Sequence, residues 1–362
     1  MILIKWKPIK ELENGDVVAE TISGSSPSDI IVKTGENIDD DLVERLSMRG
    51  ISWVSVFAKE ESVDEINTMI SNEKLDEFEK DLAEVCDKTL KEGRIDTEKT
   101  ERMSSDIADE ILADYGDYVV PSLVRLKNFD DYTFTHQVNV SIIASALAAE
   151  YYEQDEKSVE KIAMGGLIHD MGKLWIPPEI LKSREKLKDI EFDIIKKHPG
   201  YGHGIAMLSG IDDDMILNAV KCHHERWDGK GYLDNLSETD IPFEGRLLMV
   251  ADVFDALTTI RPYKRAWEPY EAVSFIVKQS KKMFDPQMVH LFLRSFGLYP
   301  LNTQVLLSNG ETGIVSGTKR GAISRPVVSV IRHNKEMKID LSKDMGLNIK
   351  KVLKLRRVED GE

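Results

Sequence analysis

"GGLIHDMGKLWIPPEIL", residues 165–181, sets His169 and Asp170 side by side in an apolar run and follows them with Gly172 and Lys173. An imidazole, a carboxylate and an ammonium stand where the neighbouring residues ask for a core. Burying an unpaired charge is costly, so such a cluster is paired internally, binds a metal, or stays at the surface. The rest of the chain narrows the choice.

The chain has eight histidines. Six of them, His136, His169, His198, His203, His223 and His224, fall in one predicted helical stretch. Asp252 and Asp255 lie further on in "RLLMVADVFDALT", at a spacing that puts both carboxylates on one helical face. Imidazole and carboxylate without thiolate suit Fe, Mn, Zn or Ni. A carboxylate can also bridge two ions, and paired ions about 3.5–4 Å apart suit phosphoryl displacement. Other chemistries fit less well. "GLIHDMGK" departs from a phosphate-binding loop in the spacing of Gly166 and Gly172 and in having Leu174 where Ser or Thr would hold Mg²⁺. There is no HExxH and no GxSxG. Cys222 precedes His223, but on a helix it points about 100° away, which reads as packing.

Composition sets wider bounds. With 362 residues, 41% of them hydrophobic, the chain can build two or three cores without staples. Cys86 and Cys222 have no CxxC spacing, so the chain offers neither a disulfide framework nor a thiolate metal site and fits a reducing cytosol. "MILIKWKPIKEL" interrupts its apolar residues with lysines, unlike a signal peptide, and no apolar run approaches the roughly 20 residues that span a bilayer. A cytoplasmic protein with no membrane partner is expected. The net charge of −16 makes a nucleic acid polymer a poor partner. That charge is uneven: 8 basic and 19 acidic residues lie within 59–115, against 12 basic and 3 acidic within 319–357.

The pattern along the chain predicts four parts. Residues 1–58 read as a small α/β module, with strands in "ENGDVVAETI" and "ISWVSVFA" and a helix in "NIDDDLVERLSMRG" closed by Gly50. Residues 59–115 read as an acidic helical linker. Its apolar stripes, Leu75, Phe78, Leu82 and Val85, then Met103, Ile107 and Ile111, would partner each other or a second subunit in a homodimer. Residues 116–298 read as nearly all helical, with helices over 133–151, 157–170, 190–198, 213–226, 244–260 and 269–280. Residues 299–362 read as a small β-rich module with turns at Asn-Gly and Gly.

At this point the residues resemble a known family. His169-Asp170 is the doublet that names the HD superfamily of metal-dependent phosphohydrolases. "HHERWDGKGYLDNL", 223–236, resembles the HHExxDGxGYP signature of its HD-GYP subfamily. "YTFTHQVNV", "HDMGK", "HPGYG", "ADVFDALTTIRPYK" and "FDP" follow the family order across 116–298. The resemblance implies a mainly α fold with an all-helical HD-type core, a mixed N-terminal module and a β-rich C-terminal module. It implies a bacterial phosphodiesterase that hydrolyses cyclic di-GMP to pGpG, as family members do, often on to GMP, by attack of a metal-bound hydroxide. It further implies His136, His169, Asp170, His198, His223, His224 and Asp252 as metal ligands, with Asp170 bridging. Lys173, Arg261 and Lys264 would contact phosphate, and Tyr232 would lie beside the ligand. His203 is structural on this reading, Asp255 orients a ligand or caps a polar network, and His290 and His333 are surface residues.

Two positions depart from the pattern. Leu233 stands where the signature has proline, which implies an intact metal site on a looser loop. Some family members hold a third metal with an acidic residue one turn before the first histidine; here that position is Tyr132, and Asp130 and Asp131 point elsewhere on a helix. Two divalent ions, iron or manganese, are therefore expected. The alternatives are a cyclic di-GMP sensor or adaptor that works through signalling protein partners with little turnover, and a hydrolase of another cyclic dinucleotide.

Overall fold

The computed structural model describes residues 4–19, 22–23, 30–33, 35–57, 70–113, 115, 132–181, 183, 187–259, 267–332 and 335–353. The chain forms two compact units, one of residues 68–298 and one of residues 1–67 with 299–362.

In the second of these, the N-terminal segment carries β1 (Ile4–Pro8), β2 (Val17–Val18), β3 (Ile22–Ser23), β4 (Ile30–Val32), α1 (Asp40–Met48) and β5 (Trp53–Phe57). β5 is the middle strand of an antiparallel sheet in the order β1-β5-β2, and β3 pairs with β4. α1 starts where the Asp39 carboxylate accepts from the Leu42 amide at 2.8 Å, a helix N-cap. Leu42 and Leu46 then pack on Val18, Val54 and Val56. The C-terminal segment is an antiparallel sheet of β6 (Gln304–Leu307), β7 (Thr312–Gly317), β8 (Val327–Arg332), β9 (Lys335–Asp340) and β10 (Ile349–Val352) in the order β10-β6-β7-β8-β9. Its core is Val305, Leu307, Val315, Val328 and Val330. The Arg325 guanidinium donates to the carbonyls of Leu341, Asp344 and Leu347 and to Asn348 Oδ1, which fastens the loop between β9 and β10.

The helical unit contains α2 (Asn72–Glu92), α3 (Thr97–Ala113), α4 (Tyr132–Tyr151), α5 (Glu156–Ile168), α6 (Pro178–Leu181), α7 (Asp189–Ile195), α8 (His198–Leu208), α9 (Asp214–Cys222), α10 (Phe243–Thr258), α11 (Pro269–Lys278) and α12 (Pro286–Phe296). α4 is the central element: every residue from 135 to 149 is buried, as expected of a helix covered on all sides. The stripes of α2 and α3 find their partner inside the chain. Leu75, Phe78, Leu82, Val85, Met103, Ile107 and Ile111 belong to the same core as Ile142 and Leu147 of α4 and Ile162 and Leu167 of α5. Each fully buried side chain of this size contributes about 1.5–3 kcal/mol, so α2 and α3 are bound firmly to the core.

The helices differ from their predicted spans at the ends that carry histidines. α5 stops at Ile168, α7 at Ile195 and α9 at Cys222, each short of the expected boundary. α8 and α12 fall outside the predicted set. α8, "HPGYGHGIAML", has three glycines, which weaken a helix judged by propensity alone. α12 is set by Asp285, whose side chain accepts from the Gln287 amide at 2.7 Å, and by Pro286 in its first turn. No helix among the described residues is long and apolar enough to cross a membrane.

Candidate metal centre

The last carbonyls of an α-helix have no amide partner within the helix. Three histidines satisfy such carbonyls. His169 Nδ1 lies 2.7 Å from Gly166 O at the end of α5. His198 Nδ1 lies 2.8 Å from Ile195 O past the end of α7, and His223 Nδ1 lies 2.8 Å from Val220 O at the end of α9. A carbonyl only accepts, so each Nδ1 carries the hydrogen and, in the neutral ring, Nε2 is left with its lone pair. His136, inside α4, is held differently: its Nδ1 lies 2.6 Å from Asp255 Oδ2.

After His169 the chain tightens into a 3₁₀ turn, Met171–Trp175. Gly172 makes this geometry accessible, because a Cβ there would stand 1.9 Å from His198 O and 2.5 Å from Gly202 N. Only a residue without a side chain lets the turn lie on the first turn of α8 and bring Asp170 to His198.

The two oxygens of Asp170 face different histidines. Oδ1 is 3.2 Å from His198 Nε2 and 3.9 Å from His223 Nε2. Oδ2 is 3.5 Å from His169 Nε2 and 3.9 Å from His136 Nε2. Donor atoms of His136, His169 and Asp252 lie within 4.8 Å of one another, and so do those of Asp170, His198, His223 and His224. Among the described residues, the buried atoms His169 Nε2 and Asp170 Oδ1 have no hydrogen-bond partner. Leaving such atoms unsatisfied costs about 1–3 kcal/mol each. A divalent cation accepted by nitrogen and oxygen donors removes that cost, and the donor set contains no sulfur, so the residues fit the hard-to-borderline metals.

The charges agree. Burial disfavours ionisation of Asp170, yet the Lys173 ammonium and the His169 imidazole hold its carboxyl well below the usual carboxylate range. Burial likewise opposes ionisation of Asp252, but the hydrogen bond from His136 keeps it low. Burial, then repulsion from neighbouring imidazoles, holds His223 well below the ordinary histidine value. Burial pushes His224 down to about 3. His136 moves the other way: burial works against its charge, but hydrogen bonds to Asp252 and Asp255 outweigh it and raise the imidazole to about 9. Its Nε2 is 3.1 Å from Asp252 Oδ1.

The structure therefore brings all seven candidate ligands together. Lys173 sits on Asp170 itself, Nζ 2.5 Å from Oδ2, so the two compensate each other directly. Tyr232 stacks on the His224 ring, centroids 4.6 Å apart and planes 30° apart. Arg261, Lys264, His333, Asp130 and Asp131 lie outside the described residues, as does the side chain of Tyr132. His203 is in neither donor group, and His290 is exposed. Cys222 is buried packing, as expected. Asp255 resolves into an orienting role: besides His136 it accepts from Asn139 Nδ2 at 2.8 Å and Thr259 Oγ1 at 3.0 Å. Sequence reading passes over Asn139 and Thr259. Asn139 follows His136 by three residues, a same-face spacing that could have flagged it. It also passes over Glu225, which is buried beside the His223-His224 pair.

Residues 111–288 match the HD domain family. That stretch is an HD domain. Relatives of this HD protein include a cyclic di-GMP phosphodiesterase of Pseudomonas aeruginosa, 35% identical over 63% of this chain and 55% of that protein. The cyclic di-GMP phosphodiesterase response regulator RpfG of Xanthomonas campestris is 42% identical over 41% of this chain and 40% of its own length. The 3'3'-cGAMP-specific phosphodiesterase 2 of Vibrio cholerae is 35% identical over 44% of this chain and 31% of its own length. The HD protein thus spans about half or less of the length of each relative.

Proposed function

We propose that this chain is a metal-dependent phosphodiesterase that hydrolyses cyclic di-GMP to pGpG. The observation that carries the reading is the division of Asp170 between two donor groups, one oxygen toward His198 and His223 and the other toward His136 and His169. This supports two ions, iron or manganese, held by His136, His169 and Asp252 on one side and by His198, His223 and His224 on the other, with Asp170 shared. Such ions would activate a water and offset the negative charge that grows on a phosphodiester during displacement.

The chain's own residues do the rest. Asp255, Asn139 and Thr259 fix the His136 ring, and the helix-end carbonyls fix three more. Lys173, about one-third exposed next to Asp170, is placed to contact substrate phosphate once cations share its partner's charge. Arg261 and Lys264 are proposed to add phosphate contacts, and Tyr232 to line the ligand. The names of the relatives favour cyclic di-GMP over the mixed dinucleotide. Incubating the anaerobically purified, Mn²⁺- or Fe²⁺-loaded protein with a panel of cyclic dinucleotides, followed by product chromatography, tests the reading. Linear pGpG from cyclic di-GMP is expected; binding without any product would make the chain a sensor.

A further inference from the structure

The loop that carries Tyr232 is fastened twice. Tyr232 N donates to His224 O at 3.2 Å, so ring and peptide are both registered on His224. The next two amides, Leu233 N and Asp234 N, donate to one oxygen, Glu225 Oε1, at 3.1 and 2.7 Å. The turn before them is close against the same segment: a Cβ on Gly231 would stand 2.5 Å from His224 O. The far side of Leu233 also has a seat, since a Cβ on Gly200 would lie 3.4 Å from Leu233 Cδ1. Gly200 follows His198 by two residues, so the loop is held between two segments that each supply candidate ligands.

Glu225 is 1% exposed, and among the described residues its Oε2 has no hydrogen-bond partner. A buried carboxylate with an idle oxygen is a poor choice for stability alone. Its other oxygen, however, holds two consecutive loop amides. Proline stiffens a loop through its ring and has no N–H to donate; leucine restores the N–H, and Glu225 takes it. The exposed Lys221–Asp234 pair, at 2.7 Å, adds little beside this because surface pairs contribute weakly.

We propose that Glu225 is a positioning residue: it clamps the Leu233 and Asp234 amides and so fixes the Tyr232 ring for substrate. The inference deepens the phosphodiesterase reading and rests on it for its kinetic consequence, but the clamp itself has a readout that needs no turnover.

The test uses the metal-loaded full chain with Glu225→Gln, Glu225→Asp and Glu225→Ala. Glutamine keeps the reach and an accepting oxygen; aspartate keeps the charge and loses the reach. Amide hydrogen exchange should show Leu233 and Asp234 protected in the native chain and in Glu225→Gln, and at least tenfold faster in Glu225→Asp and Glu225→Ala. In the same order, KM for cyclic di-GMP should stay within twofold for Glu225→Gln and rise about tenfold for the other two, with kcat and metal content little changed. If Glu225→Ala does not fold, the Gln–Asp pair decides alone. Unchanged exchange in Glu225→Asp, or fast exchange in Glu225→Gln, would overturn the clamp. Altered exchange with unchanged KM would overturn the positioning of Tyr232. Absence of turnover in every form, native included, would instead count against the phosphodiesterase reading and leave the exchange result to judge the clamp.

Discussion

Asp255 Oδ2 lies 2.6 Å from His136 Nδ1, on the opposite ring nitrogen from the one that faces Asp252. The pair fixes the ring and makes its Nε2 a stronger donor. Loss of such a partner usually lowers metal affinity 10–100-fold. Asp255→Ala should show that loss in a chelator competition, while Asp255→Asn, which keeps an accepting oxygen, should lose less. Equal losses in both would mean that charge, not orientation, is what Asp255 supplies.

Asp170→Ala should empty both donor groups together and abolish hydrolysis, because each group would lose the oxygen turned toward it. Metal analysis of the purified variant checks this. Full occupancy in an inactive protein would rule out a shared carboxylate.

Lys173→Ala should leave metal content unchanged and weaken cyclic di-GMP binding about tenfold to a hundredfold, the worth of one charge-assisted hydrogen bond of about 1.5–3 kcal/mol. Arg261→Ala is expected to behave alike. Calorimetric titration on metal-loaded protein is the measurement, and native affinity in both variants would remove them from the phosphate site.

Without metal, pH should act on the fold from two sides. His136 is raised from 6.5 to about 9 in the folded chain, so its contribution is complete below pH 6.5 and is lost as pH rises toward 9. His224 is lowered from 6.5 to about 3, so its neutral burial favours folding above pH 6.5 and costs stability as pH falls below it. Metal-free protein should therefore melt highest near pH 6.5, with Tm falling on either side. A cation at His136 Nε2 must displace a proton, so the metal-induced rise in Tm should grow between pH 6.5 and 9. A stabilisation by Mn²⁺ that is flat across that range would contradict the protonated state of His136.

Burial pushes the Cys86 thiol up to about 12 and Cys222 up to about 11. Neither should react with a disulfide reagent at pH 8 in the native protein, and both should react once it is unfolded. Rapid native labelling of either would show that the core opens.

The candidate ligands were legible because chemistry leaves a residue-type signal: imidazoles and carboxylates set in an apolar stretch are too costly to bury without a partner or an ion. The stripes of Leu75, Phe78, Leu82 and Val85 were legible from their helical spacing, though periodicity could not name α4 and α5 as their partner. Helix ends were not legible. Residues 169–170 and 223–226 fit a helical pattern, and only the imidazole on the helix-end carbonyl shows why the backbone turns away. α8 was hidden by its glycines; Gly202 among them lies against Gly172, a backbone approach that no local pattern announces. Glu225 and Asn139 were hidden because their partners are a loop amide pair and a carboxylate 116 residues away.

Three imidazoles are tied to helix-end carbonyls through the ring nitrogen opposite the one left for an ion, and this separates the cage from the fold. In a small zinc-stabilised domain the cation assembles its own ligands, and its removal unfolds the chain. Here the helix-end carbonyls aim the rings, so little side-chain freedom remains to be lost on loading, and the apolar core is built from residues other than the candidate ligands. Stripping the ions should leave helical content intact and allow one divalent metal to be exchanged for another in the cold. With nitrogen and oxygen donors that suit several divalent ions, the choice between them rests in part on metal availability. The metal recovered with the protein will then follow the supply in the growth medium, and preparations from iron-rich and manganese-rich cultures will differ in their ion while sharing one conformation.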